Sequence, residues 1–529
     1  MKKHILAVIL LIAAVFITYK SLPNSYFEQD EWHTFARFLS VRDGGSRDLM
    51  EATLLSGPLT HFTPLSFLTK YALFNQFGLE PYGYFVASLV FHSLVVVGIY
   101  YYLYLLTQNR PAAFVGGTFF AVNSSHMQAV SWIGTFEGSE GAALFGVLSL
   151  IFCFLYDRDK KIKYLLVSAL SLLTALLFKE TAFSFFVFYI LILFVRGFDQ
   201  NKKKKLLMLS LTAVFYLVLK FSYLVFGFTP HAPSVTFSST SFALPLVYNA
   251  AALPVKTFSV GLMPRQFLIN FSTAWADRFL GIKSLDNMIW ANTQFAVFDF
   301  IAILLGLLIL LPAFLKSGRN GLIKLSLLMA LSGAAPFLIF RQPLIFLDSR
   351  LYYVPVIGVT ILIAAAVQAL NRKYWITVPV AVILLVSHVN FAWREIDRLI
   401  AEGNSRKLIL NEILKNYPKI SGRTVFFIDS DTGYFGLKEK TVPFQSGFGQ
   451  TLLVNYVFRG EINSKMFEND FLWEIYSQGY KETDGKGFGY FRDRQTLEKA
   501  LKENRIPIED VVSLFWKGES QELKKDEIR

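Results

Sequence analysis

The sequence predicts an all-α polytopic membrane protein followed by a small exterior α/β domain. Hydrophobic residues make up 53% of the 529 residues and charged residues only 17%, which is less charge than a soluble chain of this length carries. Apolar runs long enough to cross a bilayer recur up to about residue 390 and are absent after it. The chain therefore divides into a membrane domain, residues 1–390, and an exterior domain, residues 391–529.

About eleven apolar segments reach or approach the length of a membrane span. They lie at roughly 4–20, 82–106, 112–132, 139–156, 163–178, 181–196, 206–227, 294–315, 321–340, 351–369 and 374–390. The first follows Met1-Lys2-Lys3 and looks like a signal peptide, but no small-x-small cleavage site follows it. We therefore expect an uncleaved first span.

Basic residues determine the expected orientation. With the N-terminus in the cytoplasm, every short basic loop lies on that side, as at residues 158–163 and 202–205. The net charge of +13 then reflects the positive-inside pattern rather than a nucleic-acid surface. The loops 21–81 and 228–293 and the chain after 391 lie outside. We expect a multi-pass protein of the bacterial inner membrane.

The exterior domain begins with a helical pattern that includes Trp393, Ile396 and Leu414. A β-like run, residues 424–428, follows, and the remaining chain predicts a small mixed α/β domain. In the second outer loop, the sequence predicts short interfacial helices, for instance around 246–261.

A helix is also predicted just after the first span. At 100° per residue, Trp32, Phe35 and Leu39 form one apolar stripe, while Asp30 lies on the polar side. Glu31 points about 100° away from Asp30, so the two acids cannot serve one small site equally. Such a helix suits the membrane interface, although an ordinary interfacial linker with solvated charges has the same pattern.

Three cations lie on the outer side of the membrane, where the positive-inside rule disfavours them: Lys179, Arg341 and Arg350. Lys179 joins two apolar runs of about 16 residues, which is at the lower limit for crossing a bilayer. Cations at such positions indicate a local anion. A structural alternative is that Lys179 pairs with Glu180 or Glu137.

These groups at the outer ends of different spans predict one outward site for transfer from a lipid phosphate. A carboxylate would deprotonate an acceptor hydroxyl, and Lys or Arg would hold the phosphate leaving group. The segments that carry the pattern are Asp30-Glu31, His61–Leu65, Asn123–His126 with Ala129–Gly134 and Glu137, Leu176–Thr181, and Asp348–Pro355.

In order and placement these segments resemble the GT-C class of integral-membrane glycosyltransferases, which use polyprenyl- or dolichyl-phosphate sugars. Within that class the protein O-mannosyltransferase group and the bacterial lipid A aminoarabinose transferases are most similar. The resemblance covers residues 1–390. It departs from the family where Ser125-His126-Met127 lacks the usual proline, and no tetratricopeptide repeat follows, so the acceptor does not carry over.

The resemblance implies transfer of a sugar from a polyprenyl-phosphate donor to a glycan, lipid or protein acceptor outside the membrane. Asp30 is the expected general base, and Glu31 orients the acceptor or the helix. The expected phosphate ligands are Lys179, Arg350 and Arg341. The expected substrate- or lipid-lining residues are His61, His126, Glu137, Glu180, Tyr352 and Tyr353, the two tyrosines at the lipid entrance.

No His/Cys cluster has metal spacing, so we expect no cofactor, although Asp30, Glu31 and His126 are a set that in principle holds a divalent ion. Two other functions fit the same sequence. A transporter or flippase of a polyprenyl-linked glycan would use the cations without chemistry, and an assembly scaffold would use only the exterior domain. The acidic pair Asp30-Glu31 distinguishes a transferase from a flippase, because a flippase needs no carboxylate base.

Overall fold

The structure is a computed structural model, and it describes residues 2–28, 30–55, 62–196, 200–226, 243–281, 288–317, 320–338, 344, 348–370, 374–431, 447–473 and 477–526. The helices before the sheet domain are α1 (Lys2–Thr18), α2 (Asp30–Gly44), α3 (Ser46–Leu54), α4 (Pro64–Phe77), α5 (Pro81–Thr107), α6 (Arg110–Val122), α7 (Gln128–Ser131), α8 (Phe136–Asp159), α9 (Ile162–Phe178), α10 (Phe183–Arg196), α11 (Gln200–Lys220), α12 (Ala243–Leu262), α13 (Arg265–Leu280), α14 (Met288–Ser317), α15 (Gly321–Ala334), α16 (Val356–Ala369) and α17 (Tyr374–Asn416).

The helical part is that of a multi-pass membrane protein. Within the described residues, six helices are long and apolar enough to cross a bilayer, or seven if α12 and α13, bent by 104°, form one broken span. Four shorter apolar helices accompany them, at 162–178, 180–195, 321–337 and 356–369. Outward-facing side chains on α11 are apolar, with Leu211 54% and Val218 60% exposed, as expected for a surface that contacts lipid.

Most predicted spans coincide with a helix, but the predicted span 112–132 is wrong as one continuous element. Helix α6 ends at Val122, and a short 3-10 turn and α7 follow it. Asn123 causes the break: its Oδ1 accepts from the Ser125 N–H at 2.9 Å, while its Nδ2 donates to the Gly261 carbonyl at 2.8 Å. These bonds satisfy backbone groups that the end of a helix leaves unpaired. The predicted span 351–369 likewise begins with a 3-10 turn, Ser349–Tyr352, before α16.

Besides α2, four helices lie in the regions 21–81 and 228–293 that the sequence assigned to outer loops: α3, α4, α12 and α13. Helix α4 has 14 residues, too few to span a bilayer, and packs against α8 and α9. Helix α12 has 20 residues and contains the predicted interfacial segment, but it extends beyond it and packs against α14 and α15.

The C-terminal part forms a five-stranded mixed sheet with α18 (Phe448–Phe458) and α19 (Arg494–Asn504), as the sequence predicts. Its strands are β1 (Arg423–Ser430), β2 (Gly479–Thr483), β3 (Lys486–Phe491), β4 (Val511–Lys517) and β5 (Glu522–Lys525), in the order β2-β3-β1-β4-β5. The predicted run 424–428 lies in the central strand, which pairs in parallel with β3 and β4. A central strand is covered on both faces, which explains its continuous apolar sequence.

The sheet domain contacts α2 directly. Trp473 stacks on His33 with ring centroids 4.6 Å apart, and its carbonyl bonds to the His33 ring. Ser464 Oγ donates to Asp43 at 2.5 Å near the other end of α2. Helix α17 runs unbroken across residue 390, so a continuous helix joins the membrane helices to this domain. These contacts fix α2 between the two parts of the protein.

Candidate functional site

Helix α2 presents its two acids in different environments. Its apolar stripe is buried, with Trp32, Phe35 and Leu39 fully enclosed, as predicted. Asp30, the first residue of the helix, is exposed, whereas Glu31 is fully buried. Both carboxylates lie in the first turn, where the helix dipole favours negative charge.

Glu31 ties α2 to the loop that precedes α8. Its Oε1 accepts from the Gly134 N–H at 3.1 Å, and Lys70 of α4 donates from Nζ to the Gly134 carbonyl at 2.8 Å. The two backbone groups of one residue, Gly134, are thus held by side chains of opposite charge. Glu31 therefore acts on the position of α2 and of this loop, and Asp30 next to it remains accessible.

Glu137 completes this buried network. Its Oε1 lies 2.9 Å from Lys70 Nζ and accepts a hydrogen bond from Ser66 Oγ at 2.8 Å. The Lys70 and Glu137 side chains are 8% and 1% exposed, so each charge depends on the other for compensation. Glu137, expected from the sequence to line the substrate site, makes these contacts inside the α4–α8 packing.

Arg350 lies in the 3-10 turn before α16. Its guanidinium stacks on the Trp132 ring, 4.2 Å from the centroid, and its Nη2 is 3.2 Å from Asp348 Oδ2. Burial lowers the pKa of Arg350, while the charges of Asp348, Asp30 and Glu28 act to raise it. The exposed Asp30 carboxylate is thus an electrostatic neighbour of Arg350, although 320 residues separate them in sequence.

Lys179 follows α9 and donates from Nζ to Ser139 Oγ at 3.0 Å. Burial lowers the pKa of Lys179 to about 8, and the nearby Arg350 charge acts in the same direction, opposed by Glu137 and Glu180. Glu180 accepts a hydrogen bond from the Phe62 N–H. The direct hydrogen bond of Lys179 is therefore to a hydroxyl, and the pairing with Glu137 or Glu180 considered from the sequence is limited to longer-range attraction.

A narrow cleft lies between these elements. Its lining includes the hydroxyl residues Ser139, Thr181 and Ser184 together with Arg350. Ser184 Oγ is buried and has no hydrogen-bond partner among the described residues. Two neighbouring cations, Arg350 and Lys179, and an unpartnered hydroxyl form a donor set that suits a phosphate group.

The other predicted lining residues that the structure describes are buried: His126, Tyr352 and Tyr353. His126 is fully buried against Phe120, with ring centroids 4.6 Å apart, and Tyr353 donates to or accepts from His92 Nδ1 at 2.7 Å. Tyr353 makes its polar contact in the helix core and also lines the cleft, and the place of the two tyrosines at the lipid entrance stays a prediction. His61 and Arg341 lie outside the described residues.

The sequence argument missed Lys70, Ser139 and Ser184. Lys70 carried a signal, since it is another cation on the side where cations are disfavoured. The two serines carried none, because isolated hydroxyls are common in apolar helices. Among the described residues, no group of three or more His, Cys, Asp and Glu side chains is arranged to hold a metal, so Asp30, Glu31 and His126 do not converge.

No family model matches this chain, and no curated protein matches it. Among solved structures it is similar to ArnT from Cupriavidus metallidurans bound to undecaprenyl phosphate, with 12% identity and a TM-score of 0.47 over 91% of this chain and 97% of that one. For ArnT from the same organism in the apo state, the identity is 12% and the TM-score 0.42, over 96% of this chain and 92% of that one.

It is also similar to the archaeal oligosaccharyltransferase AglB from Archaeoglobus fulgidus in complex with an inhibitory peptide and a dolichol-phosphate. Here the identity is 13% and the TM-score 0.38, over 85% of this chain and 63% of that one. Similarities at this level of identity and TM-score do not establish a family or an activity, so the function rests on the residues of the site.

Proposed function

We propose that this protein is a membrane glycosyltransferase that moves a sugar from a polyprenyl-phosphate donor to an acceptor hydroxyl. The observation that carries the proposal is the cleft lined by Arg350, because Lys179 and the exposed carboxylate of Asp30 are both electrostatic neighbours of that arginine. The site stands at one end of a bundle of apolar helices, where a lipid phosphate would lie. Glycan, lipid and protein hydroxyls are all acceptors that this chemistry admits.

The reaction requires one bond to form as another breaks. The acceptor oxygen attacks the anomeric carbon and loses its proton to Asp30, while the bond from that carbon to the phosphate oxygen breaks. The electron pair of that bond remains on the polyprenyl phosphate, which therefore gains negative charge as it leaves. Arg350 and Lys179 stabilise this developing charge, and such stabilisation is among the largest contributions to enzymatic rates.

The hydroxyls of the cleft add directional contacts to the two charges. Lys179 is already oriented by Ser139, so a phosphate would find its ammonium group in place. Ser184 donates to a phosphate oxygen in this scheme, which provides the partner that its buried hydroxyl lacks. Trp132 holds the Arg350 guanidinium by stacking and limits the freedom that binding would otherwise remove.

Glu31 and Lys70 have positioning roles in this proposal. They bind the N–H and the carbonyl of Gly134, and the loop that contains Gly134 also carries Trp132, on which the Arg350 guanidinium stacks. The same contacts therefore fix the position of the base, Asp30 on α2, relative to the phosphate ligand Arg350. Placement within a fraction of an ångström is what general acid–base chemistry and leaving-group stabilisation both require.

The test is a transfer assay with the purified protein in lipid vesicles. A panel of radiolabelled polyprenyl-phosphate sugars is supplied with crude cell-envelope material, and label is followed from the lipid to a non-extractable or acceptor fraction. We expect one donor to lose its label to an acceptor. If labelled lipid crosses the vesicle membrane intact and no label leaves it, the protein is a transporter of the lipid-linked sugar and the proposal is wrong.

A further inference from the structure

A second, larger cavity lies at the opposite end of the helix bundle from the cleft. The cleft involves Ser139 near the start of α8, whereas the cavity is lined by the last residues of α8, from Leu150 to Arg158. Along α8, Ser139 lies 11 residues before Leu150 and 19 before Arg158, which is about 17–29 Å, so at least about half of the thickness of a bilayer core separates the two spaces. The volume of this cavity is about 300 Å³.

The walls of the cavity are apolar and come from helices α5, α8, α10, α11 and α15. Typical lining residues are Leu150, Phe154, Phe188, Ile192 and Leu209. Helix α11 forms one wall, and its other face exposes apolar side chains such as Leu207, which is 61% exposed. The cavity thus adjoins a surface that contacts the bilayer, and its walls match a hydrocarbon chain.

One end of the cavity is charged. Lys205 of α11, only 7% exposed, reaches it and lies 2.6 Å from Asp157 Oδ1 of α8. Around this end stand exposed basic residues: Arg158, Lys160, Lys161, Lys163, Lys203 and Lys204. The acids in the same two segments are Asp157 and Asp159, so the rim carries a clear excess of positive charge.

Loop cations alone follow from the positive-inside rule, but a buried lysine at the mouth of an apolar cavity does not. Removing an ammonium group from water is costly, and one half-exposed carboxylate compensates it incompletely. The cavity lies at the level where the apolar helices end. Its apolar walls match the acyl chains of a phospholipid, and its basic rim matches an anionic headgroup.

We propose that this cavity binds an anionic phospholipid from the leaflet at the basic end of the bundle. One acyl chain occupies the space between α8, α10 and α11, and the phosphate lies against Lys205 and Arg158, the two cations that line the cavity. The site is separate from the proposed transfer reaction and does not depend on it. Its occupancy would fill the gap beside α11, which packs mainly on α9 and only weakly on α10.

Native mass spectrometry of the detergent-purified protein tests this site with two defined lipids, phosphatidylglycerol and phosphatidylcholine, supplied at equal concentration. We expect wild-type protein to retain phosphatidylglycerol in preference. Replacing both charged partners, Lys205→Met with Asp157→Leu, keeps the buried pair balanced and should lower that retention about fivefold, the effect of losing one cation that faces a lipid charge.

Leu209→Trp tests the cavity without changing any charge, because the larger ring fills the space of an acyl chain. We expect it to lower phosphatidylglycerol retention as well, and it decides the matter if the double variant does not fold. Lys161→Met is the matched control, since it removes an exposed cation of the same rim that does not line the cavity. Equal retention of the two lipids by wild-type protein, or an equal loss in Lys161→Met and the cavity variants, would overturn the proposal.

Discussion

Replacing Arg350 by alanine removes the cation that is central to the proposed phosphate site. Asp348 engages the guanidinium through Nη2 at 3.2 Å, and the remaining donors stay available to a phosphate. A hydrogen bond to a charged group contributes about 1.5–3 kcal/mol, so the donor concentration needed for half-maximal rate should rise about 10- to 150-fold. For Arg350→Lys, the donor concentration at half-maximal rate should lie between the values for wild type and Arg350→Ala. Lysine keeps the charge but loses the bidentate contact and the stacking on Trp132.

The assay is initial-rate transfer across a range of donor concentrations, at equal amounts of folded protein. Arg278→Ala is the matched control, because Arg278 also rests on an aromatic ring, Phe279 at 5.9 Å, but lies in the last turn of α13 and outside the cleft lining. We expect the control to behave as wild type. An unchanged donor dependence in Arg350→Ala would remove this residue from the site and refute the electrostatic argument for the cleft.

Three further outcomes follow from the same geometry. Burial lowers the pKa of Lys179 to about 8, so its positive charge is lost as the pH rises through that value. We therefore expect kcat/KM for the donor to fall above about pH 8, and to change less with pH in Lys179→Arg, in rate profiles measured between neutral and alkaline pH. Lys70→Met leaves the buried Glu137 charge without its cation and should destabilise the protein by about 3–5 kcal/mol, seen as a lower thermal unfolding temperature. The double variant Lys70→Met with Glu137→Leu has no unpaired charge and should recover much of the lost stability. Glu31→Gln keeps an oxygen for the Gly134 N–H and should retain most of the transfer rate, whereas Glu31→Ala leaves that buried N–H unpaired and should cost about 1–3 kcal/mol in stability by the same unfolding measurement.

The membrane helices were predictable because bilayer thickness imposes a length on apolar runs. Helices α5, α8 and α9 match their predicted spans closely for this reason. The break after Val122 has a local signal, because the polar run Asn123–His126 interrupts the apolar residues. Hydropathy averaged over the length of a span does not resolve so short an interruption, and one partner of Asn123, Gly261, is far away in sequence. Helix α4 was placed in a loop because it is too short to give a spanning signal.

The site was predictable in part. Asp30, Lys179 and Arg350 were singled out because charges at the ends of apolar runs are costly and so indicate a function. In the structure, Arg350 is an electrostatic neighbour of both Asp30 and Lys179. The roles of Glu137 and Glu31 were not separable from that of Asp30 in the sequence, since burial depends on packing against α4 and the 132–135 loop. His126 packs in the helix core, whereas Tyr353 bonds to His92 there and also lines the cleft.

The central claim is that Asp30 is the base of a sugar transfer, and the most direct test is the single-turnover transfer rate of Asp30→Asn at saturating donor. Asparagine keeps the size of the side chain and loses the basicity, and general-base catalysis contributes a factor of about 10²–10⁴. Asp48→Asn is the control, because Asp48 is exposed in the first turn of the neighbouring helix α3. We predict at least about a hundredfold slower transfer in Asp30→Asn, with donor binding unchanged and the control at the wild-type rate. Transfer by Asp30→Asn at the wild-type rate would contradict the account.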